Sequence, residues 1–356
     1  MPDFNPTSLA QSWPLPSNPR PIVTFGAGSI VGDAHYPAYR KGGFPVAGVY
    51  DPDHDKAKAL AEKWGVVAYR TVEEAASVEG AIFDLATPPA AHAKVLAALP
   101  DGAAVLIQKP MGSDLKAATE ILHICRDKKL KAAVNFQLRF APMLLVLKDA
   151  IAKGLLGEVV DFDVYLALDT PWELWSFLEG LPRIEIAMHS IHYLDAIRQI
   201  LGDPQGVHAK SIGHPNHRMA QTRTTAILDY GDRVRCALSI NHDHKFGRKH
   251  QACEFRVSGT EGAAYLQLGV NLDYPRGESD ILEIHSKGGD GWVPVALEGT
   301  WFPDAFVGRM ANLQRFVTGE DAELVSSVED AWMTMALVEA AYASSAAPAT
   351  PLAARP

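Results

Sequence analysis

Between residues 21 and 140, short apolar runs alternate with helix-like stretches, and no other feature narrows the fold as far. Pro21–Phe25, Phe44–Tyr50, Val66–Tyr69, Ala81–Ala86, Ala103–Ile107 and Ala132–Asn135 read as strands. Asp33–Lys41, Pro52–Trp64, Val72–Ser77, His92–Leu99 and Leu115–Lys128 read as helices. Alternation of this kind builds a doubly wound parallel sheet.

After about Pro142 the pattern changes. A helix over Met143–Lys153 leads to a stretch, residues 154–168, that alternates like a strand with one buried face. A helix near Glu185–Leu201 ends at Gly202, a C-cap. From Val207 to about Val295, strand-like runs such as Thr224–Tyr230, Arg233–Asn241 and Glu254–Ser258 are separated by turn signals. Phe306–Phe316 and Val328–Ser345 read as closing amphipathic helices. The fold class is therefore α/β: an N-terminal doubly wound parallel sheet, then an α+β domain with a large, mostly antiparallel open sheet. At 356 residues the chain is too long for one ordinary core. The expected divisions are an arm at 1–20, a nucleotide-binding domain at 21–142, a substrate and oligomerisation domain at 143–345 and a flexible tail at 346–356. A broad sheet face left bare by helices needs a partner, so a homodimer or homotetramer through that sheet is expected.

Charge excludes some functions. The net charge is −9 and the pI about 5.8, without the basic face of a nucleic-acid binder. No apolar run approaches the roughly 18 residues of a membrane span. Residues 1–20 hold five prolines and no apolar signal core, so they read as a flexible or surface-wrapping arm. A cytoplasmic protein is the expectation. Cys125, Cys236 and Cys253 are odd in number and far apart, with no disulfide or zinc spacing.

Three motifs carry chemistry. The first is the turn Gly26–Gly32 after the first strand, reading Gly-Ala-Gly-Ser-Ile-Val-Gly. Gly26 and Gly28 fit G-x-G-x-x-G, but the third position is Val31 and a glycine comes one residue late, at Gly32. The first glycine permits the tight turn, and the second lets the backbone approach a pyrophosphate at a helix N-terminus. Asp51 closes the next strand, placed to bond a ribose 2′-hydroxyl and repel a 2′-phosphate. NAD is therefore expected over NADP. The second motif is Lys109, which follows the strand Ala103–Ile107 and precedes Pro110. Ligands of an open α/β sheet lie just beyond the carboxyl ends of its strands. The third is Ile184–Asp195, where Glu185, Met188, His189 and His192 share a stripe at helical spacing. His192 suits a general base because imidazole titrates near neutral pH. Asp195 reads as a structural hydrogen-bonding group. His242 and His244 alternate and could share a metal, but no third ligand is predictable, and no metal is expected. Trp172 and Trp175 read as packing residues before sugar-stacking ones.

Together these residues resemble one family. Gly26-Ala27-Gly28, His35-Tyr36-Pro37-Ala38, Thr87-Pro88-Pro89-Ala90-Ala91-His92, Gln108-Lys109-Pro110, Arg139-Phe140 and His192-Tyr193-Leu194-Asp195 resemble the glucose–fructose oxidoreductase / inositol dehydrogenase / rhizopine-catabolism (Gfo/Idh/MocA) family in order and spacing, from about Pro21 to Ser345. The resemblance implies a Rossmann domain, a C-terminal open-sheet domain that mediates oligomers, and hydride transfer between a nicotinamide cofactor and a sugar or polyol. It assigns the catalytic lysine to Lys109 and the catalytic histidine to His192. The expected cofactor set is Gly26, Gly28, Ser29, Ile30, Asp51, Thr87, Pro88, His92, Gln108, Lys109 and Gln137. Two positions depart from the family. Its glutamate before the lysine is Gln108 here, and its aspartate four residues before the histidine is Met188. Glu185 or His189 is expected to substitute for that aspartate as a catalytic group. The expected activity is NAD-dependent oxidation of a sugar or polyol, with an aldose oxidised at its anomeric carbon as the first substrate to try. A non-catalytic NAD(H)-binding sensor, or redox-assisted glycoside cleavage on the same fold, stands as the alternative.

Overall fold

The computed structural model describes residues 8–172, 178–216, 218–274, 276–286 and 288–353. Its first sheet holds β1 (Ile22–Phe25), β2 (Val46–Tyr50), β3 (Val67–Ala68), β4 (Ile82–Leu85), β5 (Ala104–Ile107) and β6 (Lys131–Val134). Their order is β3-β2-β1-β4-β5-β6, with every pair parallel. The chain runs outward in opposite directions from β1 and from β4, so a crevice opens between them at the carboxyl ends. β1, β4 and β5 are buried at every position because helices cover both faces. The connecting helices are α1 (Tyr36–Lys41), α2 (His54–Trp64), α3 (Val72–Ala76), α4 (His92–Ala98) and α5 (Leu115–Asp127). Local chemistry sets their starts. The side chains of Asp53, Thr71 and Asp114 each accept a backbone N–H of the first turn. Gly65, in the left-handed region, closes α2.

A helix, α6 (Pro142–Ala152), leads to the second sheet. Its strands are β7 (Val159–Ala167), β8 (Gly206–Ile212), β9 (Arg223–Asp229), β10 (Arg235–Asn241), β11 (Ala252–Gly259), β12 (Gly262–Gln267), β13 (Ile281–Ser286) and β14 (Val293–Pro294). The order is β14-β13-β12-β11-β7-β10-β9-β8, antiparallel except for β7 beside β10. One face carries the core: Phe162, Val164, Leu238, Phe255 and Val257 point inward, and Tyr165, Ile227 and Arg235 point out. Three helices close the fold: α7 (Ile191–Leu201), α8 (Asp304–Thr318) and α9 (Val328–Ala346). Phe306, Met310 and Leu313 of α8 pack with Ile22, Tyr36 and Tyr39 of the first sheet's layer. α9 touches α5, α7 and β8 and so joins both halves. Among the described residues no helix is long and apolar enough to cross a membrane.

Two helices depart from a uniform 3.6-residue period. The helix after β1 starts at Ser29, earlier than expected, and runs through a π turn at Val31–His35 before α1. The Glu185 helix likewise opens with a π turn, Ile186–Ser190, ahead of α7. A π turn bonds i to i+5 and admits an extra residue. The stripe of Glu185, Met188, His189 and His192 is therefore rephased. The arm is surface-wrapping over its described part: Trp13 donates to Asp321 at 2.7 Å and stacks edge-on with Phe140, and Ser17 N donates to Glu320. α9 carries the chain to Ala346, one residue into the expected tail, and residues 347–353 are exposed.

A buried ion pair ties the halves. Arg139, in the 3₁₀ segment Gln137–Phe140 after β6, donates through Nε and Nη2 to Asp195 of α7, both at 2.6 Å. Asp330 of α9 forms an ion pair with Arg139, its Oδ2 2.7 Å from Nη2, and Thr334 donates to Asp195. Burial opposes the Arg139 charge, and the two carboxylates more than offset it, holding its pKa above the usual value. Removing one partner strands the other without water. Arg139→Met is expected to cost about 3–5 kcal/mol of unfolding free energy, measured by urea denaturation; a loss below about 1 kcal/mol would assign the pair no such role.

Candidate active site

The glycine turn sits where the crevice opens. Gly26 has φ +106°, and a Cβ there would lie 2.5 Å from the Ala86 carbonyl oxygen at the end of β4. Only glycine fits this position. Gly28 is the opposite case: a Cβ would meet nothing within 4 Å, so its backbone borders open space. Ser29 and Ile30 follow in the first helical turn, where backbone N–H groups point outward. Gly32 faces Leu60 of α2, whose Cδ1 would lie 3.4 Å from an added Cβ. That is an ordinary contact, so a side chain fits at the late glycine and the cradle rests on Gly26 and Gly28. Asp51 lies across the turn, its Oδ2 accepting from Ala27 N at 2.8 Å and its Oδ1 from Asp53 N at 2.9 Å. A carboxylate has lone pairs beyond these two bonds for a ribose hydroxyl. The open cradle at Gly28 and the adjacent carboxylate fit a dinucleotide.

The loops after β4, β5 and β6 form the adjoining wall. Thr87 and Pro88 border the crevice, whereas the His92 ring is fully buried and bonds to the Thr87 carbonyl at 3.0 Å. Burial lowers its pKa to about 4, so it is a neutral brace behind the loop and not a surface for ligand. Gln108 accepts from Asn135 at 2.9 Å, which fixes its amide at the end of β5. The Gln137 side chain is buried, and its Oε1 has no hydrogen-bond partner. Asn135 was not singled out from the sequence; a polar residue closing an apolar strand was the available signal.

Lys109 lies two residues beyond β5. Its amine donates to the Met188 carbonyl at 2.8 Å, and burial lowers its pKa to about 8. The position where the family has an aspartate thus anchors the lysine through its main chain. The Met188 side chain packs instead against the small apolar cluster of Trp172, Leu178, Ile184 and Met219. Trp172 is therefore a packing residue, while Trp175 lies outside the described residues. His192 is buried beside Lys109. Burial first and the lysine charge second hold its pKa well below the usual imidazole value. Its Nδ1 has no partner, and the ring stands edge-on to Trp301, with centroids 5.5 Å apart. Trp301, another buried wall of the site, carried no sequence signal.

Glu185 and His189 take different places. The Glu185 carboxylate is fully buried; Ser190 donates to its Oε1 at 2.6 Å, an i to i+5 contact made by the π turn. His189 is partly exposed and close enough to His192 and Lys109 for their charges to depress its pKa, after burial and His242. His242 and His244 do not converge. β10 ends at Asn241, so the alternation stops there, and the His244 ring bonds to the Lys249 carbonyl. His242 turns inward, its Nε2 3.4 Å from Glu185 Oε1.

Comparison with known proteins agrees with this fold. Residues 21–136 match the oxidoreductase family with an NAD-binding Rossmann fold, and residues 144–265 match the GFO/IDH/MocA C-terminal domain. An uncharacterized oxidoreductase of Synechocystis is 27% identical over 83% of this chain and 84% of its own. The D-apiose dehydrogenase of Rhizobium rhizogenes is 23% identical over 85% of this chain and 89% of its own. An oxidoreductase from Agrobacterium radiobacter, solved with NAD+, L-tartaric acid and magnesium, superposes with a TM-score of 0.76 at 20% identity. That match covers 92% of this chain and 97% of that one. Asp51→Ala is expected to weaken NAD binding roughly 10–100-fold, the worth of a hydrogen bond to a charged group, and to narrow the preference over NADP. Titration calorimetry with both dinucleotides checks it; equal losses for the two would remove Asp51 as the discriminating group.

Proposed function

The chain belongs to the GFO/IDH/MocA oxidoreductase family, and from that premise we propose that it oxidises a hydroxyl of a sugar or polyol, with NAD as the hydride acceptor. The observation that carries this reading is the pairing of Lys109 and His192 beside the crevice, one amine and one neutral imidazole within electrostatic reach. The relative that dehydrogenates D-apiose supports a carbohydrate substrate. An aldose oxidised at its anomeric carbon is the first substrate proposed.

The residues divide the work by their protonation states. His192 is neutral at pH 7, so the imidazole can take the hydroxyl proton. Lys109, titrating near 8, is mostly cationic at neutral pH and stabilises the developing alkoxide. Its bond to the Met188 carbonyl fixes the amine before substrate arrives, through a main-chain group that does not depend on the side chain at 188. Gly26, Gly28, Ser29, Ile30, Asp51, Thr87, Pro88, Gln108 and Gln137 are proposed to hold the dinucleotide, with His92 bracing the loop. Assembly through the exposed face of the second sheet is part of the same proposal.

Lys109→Met is expected to lower kcat roughly 10²–10³-fold, as for loss of one oxyanion donor, with NADH binding retained. NADH absorbance over aldoses, ketoses, inositols and sugar acids reads it. A silent wild type that still binds NADH tightly would favour a sensor. The pH profile follows from the same states. Oxidation by the wild type should hold through neutral pH and fall on the alkaline side with a midpoint near 8, as Lys109 loses its proton. A rate that climbs through pH 8 would make the neutral amine the base instead.

A further inference from the structure

Behind the proposed catalytic pair lies a second cluster, to which the roles proposed for Lys109 and His192 assign no part. Glu185, His189 and His242 each offer one ligand atom, and the three atoms lie within 4.8 Å of one another. They come from distant parts of the chain: Glu185 caps the π turn before α7, His189 lies within that turn, and His242 follows β10. Glu185 and His242 are fully buried. Their polar atoms are poorly satisfied. Glu185 Oε2, His189 Nδ1 and His242 Nε2 are all enclosed without a hydrogen-bond partner.

A hydrogen-bond network does not account for this arrangement. His242 Nε2 and Glu185 Oε1 stand 3.4 Å apart but are not aligned as donor and acceptor. The other ring nitrogen, His242 Nδ1, is 2.7 Å from Thr170 Oγ1. With the proton on Nδ1 and donated to Thr170, the Nε2 lone pair faces the carboxylate. Two acceptors then face one enclosed point. A carboxylate buried without a cation is costly, and among the described residues the His242 ring is the basic group within salt-bridge distance of Glu185. Two ligand atoms bound about 2.1 Å from one tetrahedral metal ion stand roughly 3.4 Å apart; His242 Nε2 and the nearer carboxylate oxygen of Glu185 have that separation, and one ligand atom from each of the three residues falls within 4.8 Å of the others.

We propose that Glu185, His189 and His242 form a binding site for one divalent transition-metal ion of the zinc class. Two imidazoles and one carboxylate are a donor set that zinc accepts, and three protein ligands leave a fourth position open. His189 is the partly exposed member, so the open position lies on its side, toward Lys109 and His192. Thr170 orients His242, and Ser190, bonded to Glu185 Oε1, orients the carboxylate and leaves Oε2 free. Partners of this kind fix the tautomer and ring plane of a ligating histidine. The site depends on no assumption about the hydride chemistry.

The test measures metal without substrate or dinucleotide. The full chain is stripped with chelator, incubated with Zn(II), desalted and assayed by elemental mass spectrometry, with affinity taken from calorimetry. The wild type is expected to retain one zinc per chain. Glu185→Gln and His242→Gln should lose it, and His244→Gln should keep it. Thr170→Val, which spares all three ligands, should weaken zinc roughly 10–100-fold, as loss of an outer-shell partner does. A wild type that retains no zinc overturns the proposal, whatever the variants do. Retention by Glu185→Gln and His242→Gln equal to the wild type overturns it as well. Because no turnover is read, a failed sugar panel and a failed metal site remain separate results.

Discussion

The buried bond between Arg139 and Asp195 is the contact on which the site's geometry rests. The parallel sheet can place Lys109 at the end of β5, but nothing in that sheet places His192. His192 rides on α7, three residues before Asp195, and Arg139 holds Asp195 by two short parallel bonds. Arg139 in turn sits in the 3₁₀ segment after β6, the strand next to β5. One planar guanidinium therefore fixes the rotation of α7 against the carboxyl edge of the sheet. Bidentate pairs carry this geometric specificity in addition to their energy. Asp330 and Thr334 add α9 to the same node.

Burial does the remaining tuning. Lys109 and His192 are both pushed toward their neutral forms by loss of water, and the lysine charge further disfavours protonation of His192. The result is a pair whose members differ in charge at neutral pH, as an acid–base pair requires. Met188 shows how position and side chain can separate. Its carbonyl anchors the lysine while its thioether fills an apolar cluster with Trp172.

Much of this was legible in the chain. The alternating apolar runs gave all six strands of the first sheet, and the change after Pro142 marked the second. Gly26, Gly28 and Asp51 read as one unit because local turn chemistry fixes them within about thirty residues. Lys109 was legible because a strand's end is visible as the end of an apolar run. The stripe through Glu185 and His192 was read with a 3.6-residue period; Glu185 and His189 do meet, but a π turn within the stripe changes its phase. A π turn leaves no mark in hydrophobic spacing, so Glu185 went inward to Ser190 and His242.

What the sequence determined by itself is local: which runs become strands, where helices begin, which turn admits only glycine, and which cation ends β5. These follow from hydrogen bonding, side-chain size and φ limits over a few residues. The tertiary structure alone decided which distant groups meet. The sequence offered His244 as the neighbour of His242, two residues away. The fold chose Glu185 and His189 instead, more than fifty residues back. The reason is that pairing β7 beside β10 and packing α7 against the second sheet, Tyr193 on Phe255 and Cys253 of β11, sets contacts that no local rule contains.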